Sequence, residues 1–189
     1  SFYKTPLFST YEKLARDIPD EFRFSLKMSK EITHAKDLKG DLGSMKSFIH
    51  AAGGTGQKKG CLLLQFPGKI TLDYFGKVEG ILRELQQQDP THQWRNAVEF
   101  RNDSWYTGEP TELLEEYKAV MVQHDVKKAK NFTLSGNMDF VYIRFHGPSG
   151  DYRESYTEQF LKAKAEDIQI WLKQGNDVYV YFNNTIGNA

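Results

Sequence analysis

Short runs of the chain alternate apolar and polar residues, with Val, Ile, Phe and Tyr enriched among the apolar positions. A two-residue period over seven or eight positions predicts a strand that has one apolar face. The predicted strands are 22–28, 60–66, 95–101, 119–125, 140–147 and 178–184. Residues 1–3 are interpreted as the end of one further strand.

Between these runs, apolar residues recur every three or four positions, which predicts helices. The predicted helices are 10–18, 42–52, 72–85, 111–117 and 157–172. Pro19 follows the first helix, and Gly53 and Gly54 follow the second, as helix-stop residues do. A strand followed by a helix, repeated along the chain, predicts an α/β fold with a parallel sheet. A closed barrel and an open, doubly wound sheet both satisfy this order.

The polar faces of the predicted strands favour the barrel. Strands that are buried on both faces of an open parallel sheet are usually apolar throughout, whereas here polar residues such as Gln65 occur towards the C-terminal ends. In the run 119–125, Gln123 and Asp125 are assigned to the polar face, and Val120 and Val122 to the apolar face. In a (β/α) barrel the apolar faces meet the helices, and the C-terminal ends of the strands build the functional site.

Composition narrows the classes of protein that fit. A length of 189 residues corresponds to one domain. The 25 Lys and Arg residues balance the 25 Asp and Glu residues, so charge gives no argument for binding nucleic acid or an anionic membrane. Cys61 is the single cysteine, which excludes an internal disulfide and favours a reducing compartment. No apolar run approaches the length of about 18 residues needed to span a membrane.

Charged side chains that converge at a barrel mouth destabilise the fold unless they pair with each other or bind a ligand. Lys27, Arg101 and Arg144 suit an anionic group such as a phosphate or a carboxylate. Glu99 and His146 are candidates for acid–base chemistry, and His146 belongs to the residue type that titrates near neutral pH.

An alternative interpretation of the same residues is structural. Glu99 and Arg101 would then pair with Arg144 and Asp125 in an internal ion network without any ligand. The five histidines form no pair with the spacing of a metal site, so neither a metal nor a cofactor is predicted.

Six segments of the chain together resemble the DUF72 family, also called YecE-like proteins. In order they read SFYKTP, FRFSLKMSKEITHAK, LLLQFP, AVEFRNDSW, DFVYIRFHG and VYVYFNN. The resemblance covers nearly the whole chain and implies a bacterial or archaeal, cytoplasmic protein with a TIM-barrel-like fold and no established activity. It also implies a strand before Ser1 and a helix after Ala189, so we expect a single barrel domain over 1–189 that lacks both.

The resemblance further implies a set of site residues, which includes Thr33 and Gly147. Glu99, His146 and His34 are expected to be catalytic, with His34 as a contact from a lid. The residues expected to bind the substrate are Tyr3, Lys27, Gln65, Arg101, Trp105, Asp125, Arg144, Asn183 and Asn184. We therefore expect a site for a small polar or anionic molecule. The alternatives are a metabolite-binding module without turnover and, with less support, a barrel that processes nucleic acid.

Overall fold

Strands and helices alternate through the computed structural model, which describes residues 6–41, 43–132 and 139–186. Three predictions fall on residues outside these ranges. They are the strand end at 1–3, the binding residue Tyr3 and Leu42 as the first residue of the second helix.

Within the described ranges, the predicted elements other than the strand over 119–125 are found within three residues of their predicted bounds. The helices are α1 (Phe8–Arg16), α2 (Lys30–Thr33), α3 (Gly43–Ala52), α4 (Phe75–Gln88), α5 (Gly108–Glu116) and α6 (Glu158–Lys173). The strands are β1 (Phe24–Lys27), β2 (Lys59–Phe66), β3 (Arg95–Phe100), β4 (Ala119–Met121), β5 (Gln123–His124), β6 (Phe140–Phe145) and β7 (Asp177–Phe182). Among the described helices, none is both long and apolar enough to cross a membrane.

The prediction of one strand over 119–125 is wrong, because the run is divided at Val122 into β4 and β5. Val122 N still donates to Val98 O at 2.8 Å, so the chain stays beside β3 at the break. Immediately afterwards the chain changes neighbours, and Gln123 and His124 pair with Ile143 and Arg144 of β6. The break is therefore the place where the chain passes from one sheet to another.

The strands form two sheets, with the orders β1-β2-β3-β4 and β5-β6-β7. Every pair of neighbouring strands within them is parallel. The fold is thus mixed α/β with parallel sheets, as expected from the order of the elements. The hydrogen bonds of the described strands do not show the closed ring that the barrel prediction requires.

Apolar residues on the helix-facing side of the sheets build two cores. The larger one lies between the first sheet and the helices α3, α4 and α5, and contains Phe48, Leu64 and Leu82. The second packs β6 against α6 through Ile143, Phe145 and Trp171. Full burial of a side chain of this size contributes about 1.5–3 kcal/mol, so these contacts fix the strands in place.

A third apolar layer lies on the opposite side of the sheets, and it is called the inner layer below. Its buried members are Cys61, Leu63, Ala97, Val120, Val122, Phe140 and Tyr142. These residues come from both sheets, and the hydroxyls of Ser25 on β1 and Tyr142 on β6 lie 2.9 Å apart. The two sheets therefore share one inner side.

The inner layer corrects the facing predicted for 119–125. Val120 and Val122 belong to the inner layer, and His124 continues on that side, because it pairs with Arg144. The prediction had placed both valines on the helix side and had chosen Gln123 for the polar face. The helix side is instead taken by Ala119 and Met121.

Candidate functional site

Glu99 is the centre of a charged cluster at the C-terminal ends of the strands. One carboxylate oxygen accepts from Arg101 Nε, and the other accepts from Arg144 Nη1 at 2.5 Å. Glu99 is fully buried, whereas the side chains of Arg101 and Arg144 are each 12% exposed. Burial alone would raise the pKa of Glu99, but the two guanidinium groups lower it to about 2. The carboxylate is therefore ionised at any physiological pH.

Lys27 ends β1 beside this cluster. Its Nζ donates to Gln65 Oε1 at 2.8 Å, and Gln65 is the neighbour of Glu99 in the register of β2 and β3. Burial, Arg144 and Arg101 lower the pKa of Lys27 to about 8, against the opposite effect of Glu99. An amine with this pKa is easier to deprotonate than an ordinary lysine.

His146 links the cluster to Asp125. Its Nε2 lies 3.0 Å from Arg101 Nη2, and its Nδ1 lies 3.3 Å from Asp125 Oδ1. An arginine can only donate, so Nε2 accepts and the proton is on Nδ1, which donates to the carboxylate. The backbone N of His146 donates to the same Asp125 oxygen at 2.6 Å. His146 is thus neutral in this arrangement, with a fixed tautomer and no exposed surface.

The loop after β6 folds over His146. Tyr152 Oη accepts from Arg101 Nη1 at 2.6 Å, and its ring meets the imidazole of His146 edge-on at 5.2 Å. The turn needs glycine at 147, where φ is +97° and a Cβ atom would lie 2.0 Å from Arg153 O. Tyr152 itself has a φ of +72°, a strained conformation for a tyrosine.

Tyr156 holds the other side of Asp125. Its hydroxyl donates to Asp125 Oδ2 and accepts from Gly147 N at 2.6 Å. Burial alone would raise the pKa of Asp125, but the hydrogen bonds from His146 and Tyr156 lower it. Asp125 is therefore a fixed anionic partner for His146.

His124 belongs to this site, although the sequence analysis did not select it. Its Nδ1 accepts from Val126 N at 3.3 Å, so the proton is on Nε2, which lies 3.0 Å from Phe100 O and 2.8 Å from Tyr106 Oη. Burial lowers its pKa to about 4, so the ring is neutral. The signal that could have found it is its two-residue spacing from Val120 and Val122.

His34 lies at the edge of the cluster, directly after α2. Thr33 Oγ1 and His34 Nδ1 are 2.8 Å apart. Burial and the nearby cations Lys27, Lys69 and Arg101 lower the pKa of His34. The structure thus brings His34 into the electrostatic reach of Lys27 and Arg101.

Three predicted binding residues make their recorded contacts outside the charged cluster. Trp105 is fully buried in the larger core, where its ring stacks on Phe100 at 4.0 Å and its Nε1 donates to Ile70 O. Asn183 N continues the strand pairing by donating to Phe145 O at 2.7 Å. Asn184 Nδ2 donates to Glu154 O at 2.8 Å, so it supports the loop that carries Tyr152.

The donor set of the site favours an anion. Among the described residues, no group of three or more His, Cys, Asp and Glu side chains is placed to hold a metal ion. Cys61 is buried in the inner layer, and burial raises the pKa of its thiol to about 12, which suppresses the thiolate. Arginine and lysine donors suit phosphate and carboxylate oxygens instead.

Comparison with known proteins finds one family model and several solved structures that are similar to this chain, and all carry the same family description. The family model described as "Protein of unknown function DUF72" matches residues 1–189. A DUF72 family protein from Thermotoga maritima is 25% identical, with a TM-score of 0.74 over 98% of this chain and 75% of that chain.

Two crystal structures of a DUF72 family protein from Enterococcus faecalis also match the chain. One is 19% identical, with a TM-score of 0.81 over 97% of this chain and 75% of that chain. The other is 21% identical, with a TM-score of 0.73 over 98% and 80%. At these identities the likeness concerns the fold alone. No curated protein gives a significant match.

Proposed function

The chain belongs to the DUF72 family, whose function is unknown, and we propose that its charged cluster binds a small anionic molecule. The proposal includes a barrel-like single domain in the cytoplasm, with the cluster at its mouth. The shared inner side of two parallel sheets supports this arrangement, because such folds use the C-terminal ends of their strands for binding.

The observation that carries the proposal is the pair of guanidinium groups held by one buried carboxylate. Glu99 fixes Arg101 and Arg144 side by side, and both side chains still reach the surface. Lys27 adds a third cation near these two arginines. An anion with several oxygens would bind the guanidinium groups through short, charge-assisted hydrogen bonds.

Two of the predicted catalytic residues take different roles in this proposal. A carboxylate with a pKa of about 2 is a weak base, so Glu99 positions the arginines, which agrees with its alternative role in the sequence analysis. His146 is the group for proton transfer, at the Nε2 atom that becomes available when Arg101 turns towards a ligand.

A metabolite-binding module without turnover is the second candidate. The side-chain oxygens of Glu99 and both ring nitrogens of His146 are already engaged by protein groups. That satisfied network favours recognition over chemistry. Turnover of a bound ligand, followed by NMR, separates the two candidates.

A thermal-shift series tests anion binding itself, with inorganic phosphate, sugar phosphates and small carboxylates as ligands. A ligand at 100 times its Kd stabilises the folded protein by about 2.7 kcal/mol. We expect wild type to show such a shift and Arg144→Gln to lose it. Arg83→Gln is the matched control, because Arg83 is 57% exposed and forms a surface pair with Glu79 on α4.

Arg144→Lys covers the case in which Arg144→Gln is too unstable to compare. It retains the charge beside Glu99 but loses the planar fork, so we expect a folded protein with a weaker shift. An equal shift in wild type and Arg144→Gln would place the bound anion elsewhere. The absence of any shift in wild type across the series would overturn the proposal.

A further inference from the structure

Lys27 stands beside the arginines, but its surroundings suit a reactive amine. Nζ donates to the neutral side chain of Gln65 at 2.8 Å, while the two oxygens of Glu99 accept from Arg101 and Arg144. The hydrogen bond to Gln65 therefore orients the amine within the cluster that contains both arginines.

Electrostatics around Lys27 favour its neutral form. The charged groups that act on it are Arg144 on β6, together with Glu99 on β3 and Arg101 just after it, and it also acts on His34 after α2. With a pKa of about 8 instead of 10.5, about a tenth of the amine is neutral at pH 7, against roughly one part in 3,000 for an ordinary lysine. Desolvation and neighbouring cations are the standard means by which proteins activate a lysine nucleophile.

We infer that Lys27 forms an imine with a small aldehyde or ketone that also carries a carboxylate or phosphate. This inference rests on the proposed anion site, because Arg101 and Arg144 would hold the anionic group while Lys27 reaches the carbonyl. The Nζ lone pair attacks the carbonyl carbon and forms a C–N bond. The two amine protons leave with the carbonyl oxygen as water, and a C=N bond remains, so no oxidant or reductant is needed.

The consequence of an imine is activation of the adjacent carbon. A protonated imine withdraws electrons from the bonds next to it, as in other lysine-dependent reactions on carbonyl compounds. The site would therefore support formation or cleavage of a bond at the carbon beside the former carbonyl. His146 and His34 are the nearby imidazole groups that would move protons in such a step.

Reductive trapping tests the inference with two probes. Glyoxylate carries an aldehyde and a carboxylate, and glycolaldehyde phosphate carries an aldehyde and a phosphate. Cyanoborohydride transfers hydride to an imine carbon and leaves a stable secondary amine, which peptide mass spectrometry locates. At pH 7 we expect Lys27 to be modified roughly tenfold or more faster than the exposed Lys30, because more of its amine is neutral. The rate at Lys27 should saturate with probe concentration.

Variants separate the imine from anion binding. Lys27→Arg should lose the adduct, because the guanidinium group replaces the nucleophilic amine. Lys30→Arg, the matched control, should keep both the adduct and the phosphate-induced thermal shift. Trapping by one probe only identifies whether the site prefers a carboxylate or a phosphate.

Two results would overturn the inference in distinguishable ways. Modification of Lys27 in wild type no faster than of Lys30, with both probes, rejects the imine, and a persisting thermal shift would leave the anion site standing. Loss of both signals in wild type rejects both proposals. The comparison of Lys27 with Lys30 is made within the wild-type protein, so it holds even if Lys27→Arg does not fold.

Discussion

Glu99 illustrates how one buried charge organises the residues around it. Burying a carboxylate costs several kcal/mol unless partners compensate it. Here the partners are Arg101, just after β3 of the first sheet, and Arg144 on β6 of the second, so the cost is offset only when β3 and β6 are both in place. The charge of Glu99 therefore contributes to the position of the strands as well as to the site.

The first prediction concerns the neutral variant Glu99→Gln. It leaves Arg101 and Arg144 beside each other without their shared counter-charge, so we expect it to lower the free energy of unfolding by about 3–5 kcal/mol. Glu79→Gln, which breaks the surface pair with Arg83, should change it by less than about 1 kcal/mol. Urea denaturation of both variants measures the difference, and equal effects would contradict this role of Glu99.

The second prediction uses the lowered pKa values of His124 and Glu99. Burial lowers the pKa of His124 from 6.5 to about 4, so between these values the unfolded chain binds a proton that the folded protein does not. Stability therefore falls as the pH decreases from 6.5 to 4. For Glu99, lowered from 4.5 to about 2, the folded state is favoured above pH 4.5 and that contribution is lost as the pH falls towards 2.

Each residue should account for part of this dependence. We expect His124→Gln to reduce the slope of the unfolding free energy with pH between 6.5 and 4, where His34 with its lowered pKa also contributes, and to leave the more acidic phase unchanged. Denaturation curves at closely spaced pH values test this. A slope that is unchanged in His124→Gln would show that His124 does not titrate there.

At the scale of elements, the sequence predicted the strands, but it did not predict for every strand which side packs against the helices. The alternation located each strand, because one side of each run is apolar and packs on helices. In 119–125 both sides begin with apolar residues, Ala119 and Met121 on one and Val120 and Val122 on the other. Periodicity could not decide between them, and the break at Val122 depends on contacts with a different sheet.

The sequence also predicted only part of the candidate site. Glu99, Arg101, Arg144 and His146 were found because they alternate with apolar neighbours at strand ends. Trp105 was placed in the site because an aromatic residue in a loop can line a pocket or enter the core, and only the stack on Phe100 decides between these positions.

The loop after β6 gives the third prediction. Gly147→Ala would place a methyl group 2.0 Å from Arg153 O at a φ of +97°, so we expect a loss of about 3 kcal/mol or more in unfolding free energy. Gly80→Ala on α4 meets nothing within 4 Å and should stabilise by about 0.5–1 kcal/mol. Thermal denaturation distinguishes them. A neutral Gly147→Ala would mean that the loop does not need this turn.

At the scale of the whole molecule, the inner layer joins the two sheets. Leu63 and Ala97 of the first sheet pack in the same cluster as Phe140 and Tyr142 of the second. The order of strands and helices predicted this parallel α/β arrangement. It could not predict whether the strands close into a ring, because closure depends on contacts between strands far apart in the chain.

The fourth prediction follows from that shared layer. If one sheet unfolds, the inner-layer residues of the other sheet lose their packing partners and become exposed. We therefore expect a single unfolding transition with coincident near-UV and far-UV signals. Tyr142→Ala removes a large buried ring and its contact with Ser25, and should cost about 3–5 kcal/mol while keeping one transition. Two separate transitions in wild type would show that the sheets unfold independently.

The position of Glu99 between the two arginines also bears on selectivity. Glu99 acts as a competing anion that is tethered inside the protein, always present and always at the same place. An incoming ligand has to compete with it for the same guanidinium groups, which disfavours ligands of low charge density. We therefore expect inorganic phosphate to bind more tightly than acetate, and calorimetry with the two ions measures the preference. Competition with Glu99 would therefore keep the abundant monoanions of the cell from occupying the site.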